Sequence, residues 1–396
     1  MADSKPSDPD TVAMAHSKPS GPDTVAMADS KTSDPDTVAM ADSKTSDPDT
    51  VAMAHSKPSG PDTVDMADSK PSDPDTVAMA NKVKKSQGPY EIEVTFGGEA
   101  DLHKHFTSCE KNPRHEGFIP VENFTVEHLP ECYRDSNLIF DTIKALASIT
   151  VLIKGGFISK GRSKEDKEGH PYHLSHCGGT SISSRGTGKL THIRINKEED
   201  DKECPCRDCK EKSTPLKTWG FLSVFTAKHV IFDDSEAAAA TFEMNYELGG
   251  ETVTKTIEGA CLEDSGTDTD WCRVVCPLHD IEFVRLVDKQ LIVRYEDMHR
   301  EVFRRYYKSR DDEKMVVIVS HPHGCKKQIS VGRWVEREMT LQAFFQTWTK
   351  YTYTASTCCG SSGAPVYIVK PWFSNHSHWG SHDGTNKTNF SGVHFD

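Results

Sequence analysis

Cys358-Cys359-Gly360-Ser361-Ser362-Gly363-Ala364-Pro365-Val366 is the stretch on which the reading of this 396-residue chain turns. Gly360 and Gly363 accept backbone angles closed to other residues, so the chain can turn sharply around Ser362 and expose its hydroxyl. Pro365 stiffens the exit into the apolar run Val366-Tyr367-Ile368-Val369. A hydroxyl nucleophile needs such a turn, with backbone N–H groups aimed at the oxyanion that forms after attack. A plain Gly/Ser-rich hairpin needs the same turn. Only a base and an orienting acid elsewhere in the chain separate the two.

Working outward, Trp219 to Phe232 is a strand-like apolar run with one histidine, His229, just past its core. Downstream, Asp270-Trp271-Cys272-Arg273-Val274-Val275-Cys276-Pro277-Leu278-His279-Asp280-Ile281-Glu282-Phe283-Val284-Arg285-Leu286 places an aspartate, Asp280, inside another strand-like segment. A carboxylate in such surroundings is costly unless paired. An imidazole N–H is its natural partner, and that pairing fixes the tautomer a general base needs.

Three segments then stand in an order shared with one family. Thr226-Ala227-Lys228-His229-Val230 is similar to the Thr-Ala-x-His motif of chymotrypsin-fold, trypsin-like serine peptidases. Asp280-Ile281-Glu282-Phe283 resembles that family's Asp-Ile-Ala-Leu, and Gly360-Ser361-Ser362-Gly363-Ala364-Pro365 its Gly-Asp-Ser-Gly-Gly-Pro. Ser184-Arg185-Gly186-Thr187-Gly188 and Val316 to Gly324 resemble two further pieces of its bacterial-type, disulfide-independent branch, and the chain also looks like intracellular invertebrate members. The resemblance covers residues 147–396 and implies an all-β fold, a double antiparallel β-barrel joined near 288–314. It implies a serine endopeptidase acting on polypeptides, with Ser362 as nucleophile, His229 as base and Asp280 as its orienting acid. The oxyanion would sit on the Gly360 and Ser362 N–H groups, and catalysis would require no cofactor. Counting back from Ser362, Ser356 falls at the position that sets side-chain specificity, which argues against a preference for Lys or Arg.

Ser361 stands where the family usually has Asp, which argues against activation by the usual cleaved N-terminus. A catalytically inactive scaffold on the same fold is the alternative reading. A cysteine nucleophile, Cys359 or Cys358, is a further one, but in that pattern glycines follow the cysteine directly, and here Ser361 and Ser362 intervene.

Glu203-Cys204-Pro205-Cys206-Arg207-Asp208-Cys209 lies in a charged loop between strand-like segments. Three thiols so close can share one zinc ion, which usually takes four N or S ligands. Cys177, His170, His173 or His176 would complete the set, and such a zinc would pin a loop rather than do chemistry.

The N-terminal part is different in kind. Six copies of a 13-residue unit beginning at Met1, Met14, Met27, Met40, Met53 and Met66 carry nine of the thirteen net negative charges. Proline interrupts every copy and apolar residues are few, so residues 1–80 are read as a disordered tail. Residues 81–146 form a small α/β extension, with a strand over Tyr90–Phe96 and a helix over Asn137–Lys144. Lys and Arg number 47 against 60 Asp and Glu, so binding of nucleic acid by bulk charge is disfavoured. The longest strongly apolar stretch, Ala145 to Ile153, is too short to span a membrane. The polar N-terminus and twelve cysteines suggest reduced thiols and a cytoplasmic or nuclear setting.

Overall fold

In the computed structural model, the chain divides into units Met1–Met66 and Ala67–Asp396. The structure describes residues 78–79, 83, 87–135, 137–166, 169, 171–248, 251–343, 346–371, 374–381 and 388–395. Repeat residues 1–77, and His170, lie outside these residues, while Met79, within the expected tail, packs against the main core.

The second unit is built on two antiparallel sheets. The first takes β1 (Glu93–Thr95) and, after the short β2 (Ile119–Pro120) that joins the other sheet, β3 (Thr150–Gly155), β4 (Ser183–Asn196), β5 (Trp219–Thr226), β6 (Thr241–Leu248), β7 (Glu251–Glu258), β8 (Cys261–Gly266) and β9 (Trp271–Leu278). Its order is β7-β6-β3-β4-β5-β9-β8, with β1 paired to β4. The second takes β10 (Met315–Ser320), β11 (Gln328–Ala343), β12 (Gln346–Tyr353), β13 (Val366–Tyr367), β14 (His378–Ser381), β15 (Asn389–Ser391) and β16 (His394–Phe395). Its order is β13-β10-β11-β12-β15-β14, with β16 on β12 and β2 on β11.

The apolar runs explain which strands are central. Every residue of β5 and of β10 is buried, because both faces are covered and no polar alternation is needed. The edge strand β7 carries Glu251, Lys255 and Glu258 outward, which discourages pairing with another chain. Between the sheets in sequence runs the helix Val293–Tyr306, buried through Tyr295, His299 and Val302. It packs against the helix Asn137–Ile149, whose Ile139, Ile143 and Leu146 recur at helical spacing and are fully buried. That second helix runs five residues past its expected end at Lys144, because Leu146, Ala147 and Ile149 continue the same buried face.

Tyr90–Phe96 departs further from expectation. Alternation predicts a strand with Glu91 and Glu93 in solvent, yet both carboxylates are buried and only Glu93–Thr95 pairs as a strand. Ile92 and Val94 enter the main core. The opposite face also meets protein, with His378 and Lys111 at Glu91 and His105 and His323 at Glu93.

His299 gives a pH-dependent prediction. Burial, helped by Lys189 and Lys370, pushes its pKa down to about 3 from 6.5. The unfolded chain therefore takes up a proton between about pH 6.5 and 3 that the folded chain refuses. This contribution to stability is lost as pH falls through that window, at about 1.4 kcal/mol per unit once below the unfolded pKa. Denaturation midpoints should fall between pH 7 and pH 4, and fall less in His299→Gln.

Candidate active site

His229 sits in the turn that follows β5, and its side chain is fully buried. Its Nε2 is 2.7 Å from Ser362 Oγ and its Nδ1 is 2.7 Å from Asp270 Oδ2, while its backbone N–H donates to Asp270 Oδ1 at 3.0 Å. Asp270 therefore holds the histidine at two points, side chain and main chain. It lies at the end of the Thr267–Asp270 turn in the left-handed region, φ 54°, just before β9 begins. Because β9 pairs with β5, that turn and His229 stand together at one end of the first sheet.

This corrects the sequence reading of Asp280. Asp280 is exposed at the other end of β9, where its carboxylate caps the helix Ile281–Val287 by accepting from the Phe283 N–H at 3.0 Å. The resemblance to Asp-Ile-Ala-Leu is a helix start. The structure pairs His229 with Asp270.

Behind His229 lies a buried ion pair. Arg162 Nε and Nη2 donate to the two carboxylate oxygens of Glu236 at 2.6 and 2.7 Å, and its Nη1 donates to the carbonyls of His229 and His173 at 3.0 Å each. The planar guanidinium thus fixes the backbone that carries the imidazole.

Ser362 comes from the loop before β13, and its two glycines are required by space as well as by angle. Gly360 and Gly363 have φ of 91° and 81°. A Cβ on Gly360 would meet Gly324 N at 2.8 Å and His323 N at 2.9 Å, and one on Gly363 would meet Ala227 N at 3.0 Å. The loop is tied to both auxiliary segments seen in the sequence. Thr187 of β4 donates its N–H to the Ser362 carbonyl and its hydroxyl to the Gly360 carbonyl, each at 2.8 Å. His321 to Gly324 form the turn that a Gly360 side chain would strike. Ser361 serves the loop internally, accepting from the Cys358 N–H at 3.2 Å and donating to Ser320 Oγ at 3.1 Å.

The Gly360 and Ser362 N–H groups converge on one oxygen, the carbonyl of Glu91, at 2.7 and 3.2 Å. Two backbone donors therefore face one acceptor position, and a carbonyl of the chain itself is held there. Neither cysteine competes for His229, whose Nε2 faces Ser362. Cys359 Sγ accepts from Gln87 Nε2 at 3.8 Å, and Cys358 Sγ lies 3.5 Å from Cys109 Sγ.

Ser356 is not where selection is expected. Its hydroxyl faces Gly117 and its carbonyl accepts from Ser330 Oγ at 2.7 Å. The groups around the Glu91 carboxylate are instead His378 and Lys111.

Cys204, Cys206 and Cys209 do come together, and His279 is their partner. Its Nε2 is 3.3, 3.6 and 3.5 Å from the three sulfurs. Sheet register explains the fourth member: Gly220 of β5 pairs with Leu278 of β9, so His279 emerges beside Trp219 and the cysteine loop. The candidates expected to complete the set lie elsewhere. Cys177 belongs to the main core with its thiol on Met79 Sδ at 3.7 Å, His173 is buried beside His229, and His176 lies on the same turn as Cys177. Ligand atoms on a tetrahedral zinc with bonds of ~2.0–2.3 Å stand ~3.3–3.8 Å apart, and the three nitrogen–sulfur distances fall within that range.

No protein-family model matches the chain, and no curated protein matches it. Among solved structures, the chain is similar to the Rv3671c protease from M. tuberculosis in its active form, at 13% identity and a TM-score of 0.32, over 65% of this chain and 82% of that one. The inactive form of the same protease gives 13% and 0.30, over 65% and 90%. An HtrA-type protease, AlgW with a decapeptide, gives 13% and 0.31, over 63% of each chain. At these values the likeness is too distant to assign chemistry. Among the described residues, no helix is long and apolar enough to cross a membrane.

Proposed function

We propose that the chain is a serine endopeptidase of the chymotrypsin-fold type, in which the two sheets serve as the two barrels and the cleft runs between them. The observation that carries this reading is the continuous path Ser362 Oγ–His229–Asp270, with two 2.7 Å contacts, beside two N–H groups already converged on a carbonyl oxygen. That none of the twelve cysteines is joined in a disulfide supports the disulfide-independent branch of that fold.

The mechanism follows from donor and acceptor roles. Asp270 accepts the Nδ1–H of His229, which leaves Nε2 unprotonated and able to take the Ser362 proton as the hydroxyl attacks a peptide carbonyl. The tetrahedral oxyanion is held by the Gly360 and Ser362 N–H groups, and each such donor is worth about 3 kcal/mol of transition-state stabilisation. His229 then passes its proton to the leaving amine, and water repeats the sequence on the acyl-enzyme. Asp270 stays ionised and stabilises the imidazolium formed in between.

Turnover of a casein or mixed-peptide substrate tests the reading. The wild type should cleave it and Ser362→Ala should fall to background, a loss of about 10⁶ in kcat. An inactive scaffold would show no difference between the two.

We also propose a structural zinc ion on Cys204, Cys206, Cys209 and His279, where it would clamp the loop onto β5 and β9. A site occupied at a hundred times its Kd adds about 2.7 kcal/mol to stability. Metal analysis should find one equivalent of zinc fewer in Cys206→Ser, with a lowered Tm that a chelator reproduces in the wild type.

A further inference from the structure

The segment Pro89–Ile92 lies in the cleft in the pose of a bound peptide. Tyr90 pairs antiparallel with Gly380 of β14, and the Ser381 N–H donates to the Pro89 carbonyl at 3.0 Å. An extended peptide added to a sheet edge makes these same main-chain bonds. The Tyr90 ring lies 4.8 Å from the His229 ring and closes the histidine from solvent. The Glu91 carbonyl occupies the two-donor site, and the Glu91 N–H donates to Ser362 Oγ at 3.0 Å. The nucleophile, the oxyanion donors and the Glu91 peptide unit are therefore already assembled.

The Glu91 side chain fills a pocket built to receive a carboxylate. Its Oε2 accepts from His378 Nε2 at 2.7 Å, and its Oε1 pairs with the Lys111 ammonium. Tyr353 Oη, 2.7 Å from His378 Nδ1, orients the imidazole so that Nε2–H faces the acid. Lys111 is held in turn by Thr357 Oγ1 at 3.1 Å and Asn389 Oδ1 at 2.8 Å. All of these groups are buried or nearly so, where a lone carboxylate would be expelled and an unpaired cation is just as costly. The pocket rewards an acidic side chain.

We propose, building on the peptidase reading, that Ser362 cleaves the Glu91–Ile92 bond of its own chain, and that the same pocket selects acidic residues N-terminal to the cut in other substrates. Ser362 Oγ bonds to the Glu91 carbonyl carbon as its proton passes to His229. The Glu91–Ile92 C–N bond breaks, and Ile92 nitrogen takes that proton as a new amino terminus. Water then hydrolyses the Glu91 ester and restores Ser362, freeing residues 1–91 with their acidic repeats. Lys111 lies C-terminal to the cut, so the pocket keeps its cation.

The full-length wild type and Ser362→Ala, prepared identically, should differ by this cleavage. Intact mass and N-terminal sequencing should show a product starting at Ile92 from the wild type only, at a rate independent of protein concentration. Glu91→Lys should lose that product while Ser362 still reacts with a fluorophosphonate. Peptides with Glu before the cut should exceed those with Lys at least about a hundredfold in kcat/KM. A fluorophosphonate-reactive wild type left intact at Glu91–Ile92, or the same cut in Ser362→Ala, overturns self-cleavage and leaves the peptidase reading standing. Absence of both labelling and cleavage overturns both.

An independent cluster points to a second metal. Cys109, His115, His323 and Cys358 bring four ligating atoms within 4.8 Å of one another. Cys358 Sγ is 3.5 Å from Cys109 Sγ and 3.5 Å from His115 Nε2. His323 Nδ1 is bound to Glu93 Oε2 at 2.7 Å, which leaves Nε2 for a metal and matches the carboxylate–histidine pairing seen behind zinc ligands. We infer that this cluster binds zinc, releasing two thiol protons, and joins the 109–115 loop that bears Lys111 to the loop that bears Gly360. The purified full chain should hold two zinc equivalents, and Cys109→Ser one, with Cys109→Ser/Cys206→Ser holding none. Unchanged zinc in Cys109→Ser, or a Cys109–Cys358 disulfide found in the native protein by peptide mapping, overturns it.

Discussion

Asp270→Asn should lower kcat by about four orders of magnitude, while Asp280→Ala should leave kcat unchanged and cost about 1 kcal/mol of stability. The two residues lie at opposite ends of one strand, and their partners set these different outcomes. Asp270 accepts from the backbone and the ring of His229, so an amide there offers an N–H to Nδ1 and turns the imidazole to the tautomer that cannot take the serine proton. Asp280 serves the Phe283 N–H at the start of a helix, where losing a cap exposes one backbone donor. Steady-state kinetics with one peptide substrate and a denaturant titration of each variant separate the two effects.

Arg162→Met should cost about 3–5 kcal/mol, because it strands the Glu236 carboxylate in a buried site. It should also lower kcat, since the His229 carbonyl loses the donor that holds its backbone. Arg162→Met/Glu236→Met should recover part of the stability, as replacing both partners of a buried pair by apolar groups often does. Recovery should remain incomplete: Glu236 also accepts from the Ser159 and Phe232 N–H groups at 2.8 and 2.9 Å, and both donors, the Ser159 one buried, lose their acceptor without it. Equilibrium unfolding of the single and double variants measures both terms.

The residues legible in the sequence were those whose chemistry is local. Ser362 needs glycines within two positions, and His229 follows the apolar run of the central strand β5, so short motifs pick out both positions. Asp270 carried a usable signal as well: it precedes the strand Trp271–Leu278 and follows the turn residues Thr267 to Thr269. Asp280 precedes Val284 and Val287, which are buried at helical spacing and mark a capped helix.

Other parts depend on register or on long-range packing and leave no local pattern. His279 joins the cysteine loop only because β9 lies beside β5, and 70 positions separate it from Cys209. Glu91 reaches Ser362 across 271 positions, and its alternating neighbours read as an ordinary half-buried strand. The fold suffers less from this limit, because the largely apolar runs of β5 and β10 mark strands covered on both faces.

The most direct test of the central claim is the site of covalent modification by a fluorophosphonate in the full-length protein, found by peptide mapping. The expected result is a single adduct on Ser362, absent from Ser362→Ala and strongly slowed in His229→Ala and Asp270→Asn. A folded wild-type protein that carries no adduct at Ser362, or one whose labelling is indifferent to His229 and Asp270, would contradict the account.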